Sequence, residues 1–494
     1  MLCLFAYIGS YDKMKMNREL KKSNNRINDY YNKFIIFETS YGLLESPDYG
    51  YIWEGVRFNV FEELLNNENL FKNSHDVVEI NNLELKTKFK ICRNVIFSFI
   101  GLSSLKIHKK KICYLFFSSG RRKIDDQGMS WDVYIDPLVT FIENNYPYMI
   151  LELPYQALHN NNPRSKNIIY TDYLNFINKT KIKIESDIVN YFTKLENQFS
   201  VDFGISVNIL KIVKSFLKNY QNSKKNYYKL FKRIKPNAIL IDGSYGKEAL
   251  INAAKNLRIP IIELQHGIVS DLHLGYNFPM KKNFPDYFFS FGPAWGKMAH
   301  FPIRQERIIP IGYQYLNTAL SKLKSVAKRD QILFLSQGTI GDRLSEFAVD
   351  LLFYIPPDVK ILFKLHPGEY LRWKTEYTTL YSASEKGLIK VIADDEPSLF
   401  QLMAECKWQV GVYSTALFEG MAFNCKTFVL DLPGVEYVDR LTSSHKFILV
   451  QDPNQIELSY NAEELNYRAE EYFSQNTENR FKAAIDFVMK DYNR

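Results

Sequence analysis

The chain has 494 residues, a formal net charge of +8, 46% hydrophobic and 24% charged residues. At roughly 100–200 residues per domain this predicts two or three globular domains and argues against a disordered or collagenous chain. A surplus this mild, without a recognisable basic module, excludes a dedicated nucleic-acid binder. It reads as a soluble surface with a few anion sites, or as a basic face toward a membrane or an acidic glycan.

The five cysteines, Cys3, Cys92, Cys113, Cys406 and Cys425, form no CxxC pair and no zinc spacing with histidine. That fits a reducing, cytoplasmic setting. The apolar residues 1–9 lack the basic flank of a signal peptide, and no run of 18 apolar residues marks a membrane span.

Taken in chain order, residues 11–30 read as a polar lead-in, 34–37 as a short strand and 56–65 as a helix. Strands are predicted at 111–117 and 149–151, with a helix at 137–144 between them. Residues 171–233 are Lys/Asn-rich and helical in pattern. Within them Ile209, Leu210, Ile212, Val213, Phe216, Leu217 and Tyr220 form an apolar stripe, with Lys211, Lys214 and Lys218 on other faces. The stripe fits a helix packed on its own domain; a membrane-surface or acceptor-facing helix is the alternative. Strands then follow at 238–241, 261–264, 287–290 and 308–311, with a helix at 247–257. After a basic linker at 321–330 the rhythm restarts, with strands at 332–335, 360–365, 388–392, 409–412 and 427–430 and helices at 344–354, 398–406 and 416–422. Alternating β and α predicts doubly wound parallel sheets. The expected division is 1–110 (lead-in and start of a first α/β domain), 111–320 (first domain, with 171–233 inserted) and 321–494 (second domain).

Ligands of such sheets sit at the carboxyl ends of strands, so the polar residues there are the site candidates. Asp242-Gly243-Ser244-Tyr245-Gly246 follows 238–241; Asp242 is placed for proton abstraction and the glycines for a tight turn, the plain alternative being a helix cap. Gln265-His266-Gly267 follows 261–264, with His273 and Tyr276 nearby. His366-Pro367-Gly368-Glu369 follows 360–365; the proline biases His366 to extended backbone, where its ring could stabilise a leaving phosphate. Lys364 alternates onto the same face. Tyr413-Ser414-Thr415 precedes a helix holding Glu419, which suits a phosphate cradle with a carboxylate for a ribose or sugar hydroxyl. Gly338 completes the expected nucleotide-binding set of Ser414, Thr415, Glu419 and Lys364. Gln265, Gly243 and His273 form the acceptor side, and Asp242, His366 and His266 the catalytic set. Glu263 and Asp271 are the alternative bases. The triplet Asp394-Asp395-Glu396 precedes a helix and complements its dipole, so no metal site and no cofactor is expected.

Glu263–Gly267, Gly275-Tyr276, Phe291-Gly292, Ile311-Gly312-Tyr313, Lys364–Pro367 and the run from Tyr413 to Glu419 resemble GT-B transferases of bacterial surface polysaccharide synthesis. That neighbourhood includes capsule transferases using CMP-activated sialic acid or Kdo, and CDP-glycerol polymerases. Asp242-Gly243, His366-Pro367 and Ser414-Thr415 look like the acidic-Gly, His-Pro and Ser/Thr motifs of the sialyltransferases; Ile241 stands where a second acidic residue often precedes the Gly pair. The resemblance spans residues 111–432. It implies two Rossmann-like domains facing a cleft and an inverting, metal-independent glycosyltransferase. The implied partners are a nucleotide-sugar donor, with CMP-sugar favoured, and a glycan or lipid-linked glycan acceptor. The implied place is the cytoplasm, with peripheral attachment at the inner face of the membrane. A CDP-glycerol-type phosphotransferase and a non-catalytic glycan-assembly protein are the rival readings.

Overall fold

The computed structural model describes residues 27–492 except 69, 72–84, 105–111, 120–121, 126, 156–157, 161, 178–182, 280 and 466. The expectations for residues 1–26, Cys3 among them, lie outside the described residues.

Two parallel sheets carry the fold. The first half supplies β1 (Tyr114–Ser118), β2 (Lys123–Ile124), β3 (Ser130–Trp131), β4 (Tyr148–Glu152), β5 (Ile168–Tyr170), β6 (Ala238–Asp242), β7 (Ile261–Leu264), β8 (Tyr287–Ser290) and β9 (Ile308–Pro310). Seven of these form one sheet in the order β5-β4-β1-β6-β7-β8-β9, while β2 and β3 make a separate antiparallel ribbon. The second half supplies β10 (Arg329–Leu335), β11 (Lys360–Lys364), β12 (Ile389–Ile392), β13 (Cys406–Gly411), β14 (Lys426–Leu430) and β15 (Ile448–Val450), in the order β12-β11-β10-β13-β14-β15. The strands are continuous apolar runs because both faces are covered by helices. Every residue of β1 (YLFFS) and β6 (AILID) is buried.

Residues 34–37 are not a strand. They lie in the helix Ile27–Ser40, where Tyr31, Phe34 and Phe37 recur at helical spacing and pack on Phe61, Trp53 and Phe199. Four apolar residues alone cannot distinguish the two periods. This helix joins Gly50–Asn67, Ser186–Phe203 and the first half of Ile209–Ile234 in an all-helical core. There Val213, Leu217 and Tyr220 of the expected stripe are buried, so the stripe faces the interior and the membrane-facing alternative fails for this helix. Asn208 caps it by accepting the Lys211 N–H at 3.1 Å.

Arg57 ties the helical core to the first sheet. Its guanidinium is buried against Glu38 at 2.6 Å and donates to the carbonyls of Leu274 and Asn277. The segment joining β7 to β8 is thereby anchored from outside the sheet.

Residues 321–322 close the helix Gln314–Lys322, and 329–330 open β10. The end of the chain, expected with the second half, crosses back: Phe481, Ala484, Ile485 and Val488 of the helix Thr477–Tyr492 pack under the first sheet. Their helical spacing gives an apolar stripe that β4, β6 and β8 cover. Among the described residues, no helix is long and apolar enough to cross a membrane.

Candidate functional site

In each sheet the strand order reverses once. In the first, β1 leads to β4 on one side and β6 lies on the other. In the second, β10 is flanked by β11 and β13. A crevice opens at such a point because the two adjoining connections leave in opposite directions.

Asp242 stands at the first of these crevices. Its Oδ2 accepts the Ser119 N–H at 3.0 Å, across the gap between β1 and β6. Lys247 Nζ lies 3.3 Å from Oδ1 and donates to the Gly243 carbonyl at 2.8 Å. Gly243 has φ +68°, and a Cβ there would come 2.8 Å from Cε1 of His266. The position therefore needs glycine twice over, for its backbone and for the ring lying on it. The Tyr245 hydroxyl meets His266 Nε2 at 2.6 Å. Phe58 of the helical core stacks on Tyr245 and His273, so residues before 111 help build this wall. Burial lowers His273 to about 4, with His266 adding to the effect, which keeps its ring neutral.

A second acid enters from an unexpected place. Asp132 is buried, accepts from Ser118 Oγ at 2.6 Å and from the N–H groups of Tyr134 and Ile135. Burial and the nearby Asp242 raise it to about 6. Ile241 stands where the resemblance implies a second acid, and the fold brings Asp132 in from the segment between β3 and the next helix. Below it Arg122 pairs with Glu152 at 2.5 Å and Asp136 at 3.0 Å. His159 bridges Glu152 and Asp172, each at 2.7 Å. Burial pulls the His159 pKa down, but its two carboxylate partners outweigh that and raise it. The network fixes the Asp132 segment beside the crevice.

At the second crevice, Ser414 caps the helix Thr415–Ala422 by accepting the Ala416 N–H at 3.2 Å. Tyr413 N–H reaches Gln337 Oε1 at 3.2 Å across the gap between β10 and β13. Gly338 lies in the same connection, its carbonyl accepting from Arg372. His366, exposed and extended (φ −69°, ψ 143°), accepts the Gly368 N–H on Nδ1 at 3.2 Å; a neutral ring then carries its proton on Nε2. Buried Glu369 accepts from Ser336 and Tyr377 and holds the His366 backbone N–H at 2.5 Å. Burial pushes Glu419 up to about 7, with Lys123 of the first half pulling the other way.

The two crevices face each other. A Cβ on Gly267, after β7, would lie 3.9 Å from Thr415 Oγ1, and Arg440 of the second half pairs with Asp271 of the first at 2.5 Å. The two doubly wound sheets have the GT-B architecture.

No protein-family model and no curated protein matches the sequence. Solved structures with a distant likeness to the chain include the following. A UDP-GlcNAc 2-epimerase from Methanocaldococcus jannaschii is 14% identical over 76% of this chain and 99% of its own, with a TM-score of 0.44. One from Rickettsia bellii is 12% identical over 78% and 98%, with a TM-score of 0.45. The wall teichoic acid polymerase TagF is 13% identical over 83% and 99%, with a TM-score of 0.40.

Within the GT-B frame, some expected site residues are turned to other use. Gln265 is buried; its amide donates to the Gly267 carbonyl and accepts from the Phe291 N–H, so it braces the turn and does not face the acceptor side. Lys364 Nζ is held by Tyr370 at 2.9 Å and by the Asp394 carbonyl. The strand ends at Lys364, so its alternation with His366 does not persist. Glu263 is sealed beneath the site, accepting from Ser244 N–H and Tyr276, and Asp271 is engaged by Arg440. Neither is placed to serve as base. The Asp394 carboxylate accepts from Glu396 N–H at the turn before Ser398, which caps the next helix. Among the described residues, no three His, Cys, Asp or Glu side chains converge as a metal site.

Burial raises Glu263 to about 7, Glu419 to about 7 and Asp132 to about 6, from ordinary values of 4.5, 4.5 and 3.8. Each binds its proton more tightly folded than unfolded. Their contribution is therefore complete below about pH 4 and is lost as pH rises through about 6–7. Glu263→Gln is expected to flatten the fall in melting temperature between about pH 5 and pH 8 relative to the unaltered protein. An unchanged slope would contradict this assignment.

Proposed function

We propose that this chain is a glycosyltransferase that binds a nucleotide-activated sugar at the second crevice and transfers the sugar to a hydroxyl of a glycan acceptor at the first. The single observation that carries the reading is the approach of the two strand-end segments, with Gly267 after β7 lying against Thr415 after β13. The helix N-terminus at Ser414-Thr415 offers N–H groups and hydroxyls to phosphate oxygens, and Glu419 suits a sugar or ribose hydroxyl. Asp242 takes the acceptor proton as that oxygen bonds to the anomeric carbon. The bond from that carbon to the phosphate oxygen breaks, and the Nε2–H of His366 supports the charge left on the phosphate. Direct displacement of this kind inverts the anomeric centre.

A CMP-sugar donor is favoured, on the strength of the Asp242-Gly243, His366-Pro367 and Ser414-Thr415 pattern. We assign residues 111–320 chiefly to the acceptor side and 321–476 to the donor side. Transfer is expected to need no metal, since the phosphate partners proposed are neutral or cationic. Calorimetric titration of CMP, CDP, UDP and GDP, each with and without chelator, tests this. Cytidine nucleotides are expected to bind tightest and equally well in chelator. Loss of all binding in chelator, or no binding of any of the four, would contradict the proposal.

A further inference from the structure

The helix Leu85–Ser104 turns a run of large apolar side chains to solvent. Its inward face is mixed: Asn94, Ser98 and Leu102 are buried, Leu102 in the apolar core beneath the sheet, and Ser98 Oγ donates to the Tyr170 carbonyl at 2.5 Å and accepts the Tyr173 N–H at 3.1 Å. These bonds fasten it over β5 and the short helix Asp172–Ile177. Its outward face is apolar: Phe89 is 74% exposed, Ile96 57% and Ile100 56%. At about 100° per residue these three side chains fall within roughly 40° of one another. Phe97 and Phe99 flank them and are also exposed. The segment holds Lys86, Lys88, Lys90 and Arg93 and no acidic residue.

We infer that this helix lies on an anionic lipid surface, its aromatic and aliphatic face entering the headgroup boundary while its basic side chains meet lipid phosphates. Three observations favour that occupant. Solvent-exposed apolar patches of this size otherwise go uncovered at a cost. An apolar face bordered by basic side chains is the pattern that lies in a membrane interface. A twofold pair of the same helix would set the positive charges of Lys88, Lys90 and Arg93 against their own copies. The helix covers the β5 edge of the first sheet, so docking there would bring the acceptor half of the molecule toward lipid-linked glycans. The docking itself is independent of the donor reading.

Co-sedimentation of the full chain with vesicles tests the inference. One set holds phosphatidylcholine alone, the other equal parts phosphatidylcholine and phosphatidylglycerol. The protein is expected to pellet with the second set only, and less so as salt rises. The double variant Ile96→Asp, Ile100→Asp is expected to lose about tenfold or more in vesicle affinity, while melting and nucleotide binding stay as in the unaltered chain. Those two readouts separate a failure here from a failure of the transferase reading. Equal pelleting with both vesicle sets would overturn the inference, as would an unaffected double variant. A dimer in solution that the double variant dissociates, without vesicle binding by the unaltered chain, would assign the face to a second copy instead.

Discussion

Asp242→Asn is expected to lower transfer by about 10²–10⁴-fold while leaving nucleotide affinity within about twofold. The carboxylate closes β6 at the first switch point, and its partners are the Ser119 N–H and Lys247. Asparagine keeps a side-chain oxygen for the Ser119 N–H, and Lys247 is still held by the Gly243 carbonyl. The fold should therefore survive, and only the proton acceptor is lost. Steady-state transfer rates and a nucleotide titration on the same preparation check both halves. Full activity would reduce Asp242 to a tie between β1 and β6. Asp132, held by Ser118, Tyr134 and Ile135, is assigned to positioning the segment beside Asp242.

His366→Ala is expected to lose about 10²–10⁴-fold in turnover with little change in melting temperature. The side chain is exposed, so its removal leaves no cavity. The turn beneath it is held chiefly by buried Glu369. The exposed Gly368 N–H to Nδ1 bond is lost, a contribution of about 1 kcal/mol or less. Rates equal to the unaltered enzyme in a variant of matched melting temperature would remove His366 from the chemistry.

Much of this was legible from the chain alone because parallel strands buried on both faces announce themselves as short apolar runs. Ala238–Asp242, Ile261–Leu264 and Lys360–Lys364 end where the run gives way to polar residues, and those polar residues occupy the two crevices. Other parts were not legible, for physical reasons. Phe34 and Phe37 fit either period, and only the partners Trp53 and Phe199 decide for a helix. Gln265 and Lys364 stand at the right strand ends but are turned inward by backbone groups far away in sequence. Asp132, Arg122 and His159 carry no motif; they matter because the strand order β4-β1-β6 brings Glu152, Ser118 and Asp242 side by side. The one signal available was the polar Ser118-Ser119-Gly120-Arg121-Arg122 stretch just past a buried strand. The helix Leu85–Ser104 carries no element reading in the sequence. Which face points inward is set by the bonds of Ser98.

The proposed transfer needs the donor in the second half and the acceptor in the first. Titrating the tightest-binding nucleotide into Asp242→Asn and into the double variant Ser414→Ala, Thr415→Val tests that division most directly. An unchanged Kd is expected for Asp242→Asn and a Kd raised about tenfold or more for the double variant, which loses two hydroxyl partners at roughly 0.5–1.5 kcal/mol each. The reverse pattern, with affinity lost in Asp242→Asn and kept in the double variant, would contradict it.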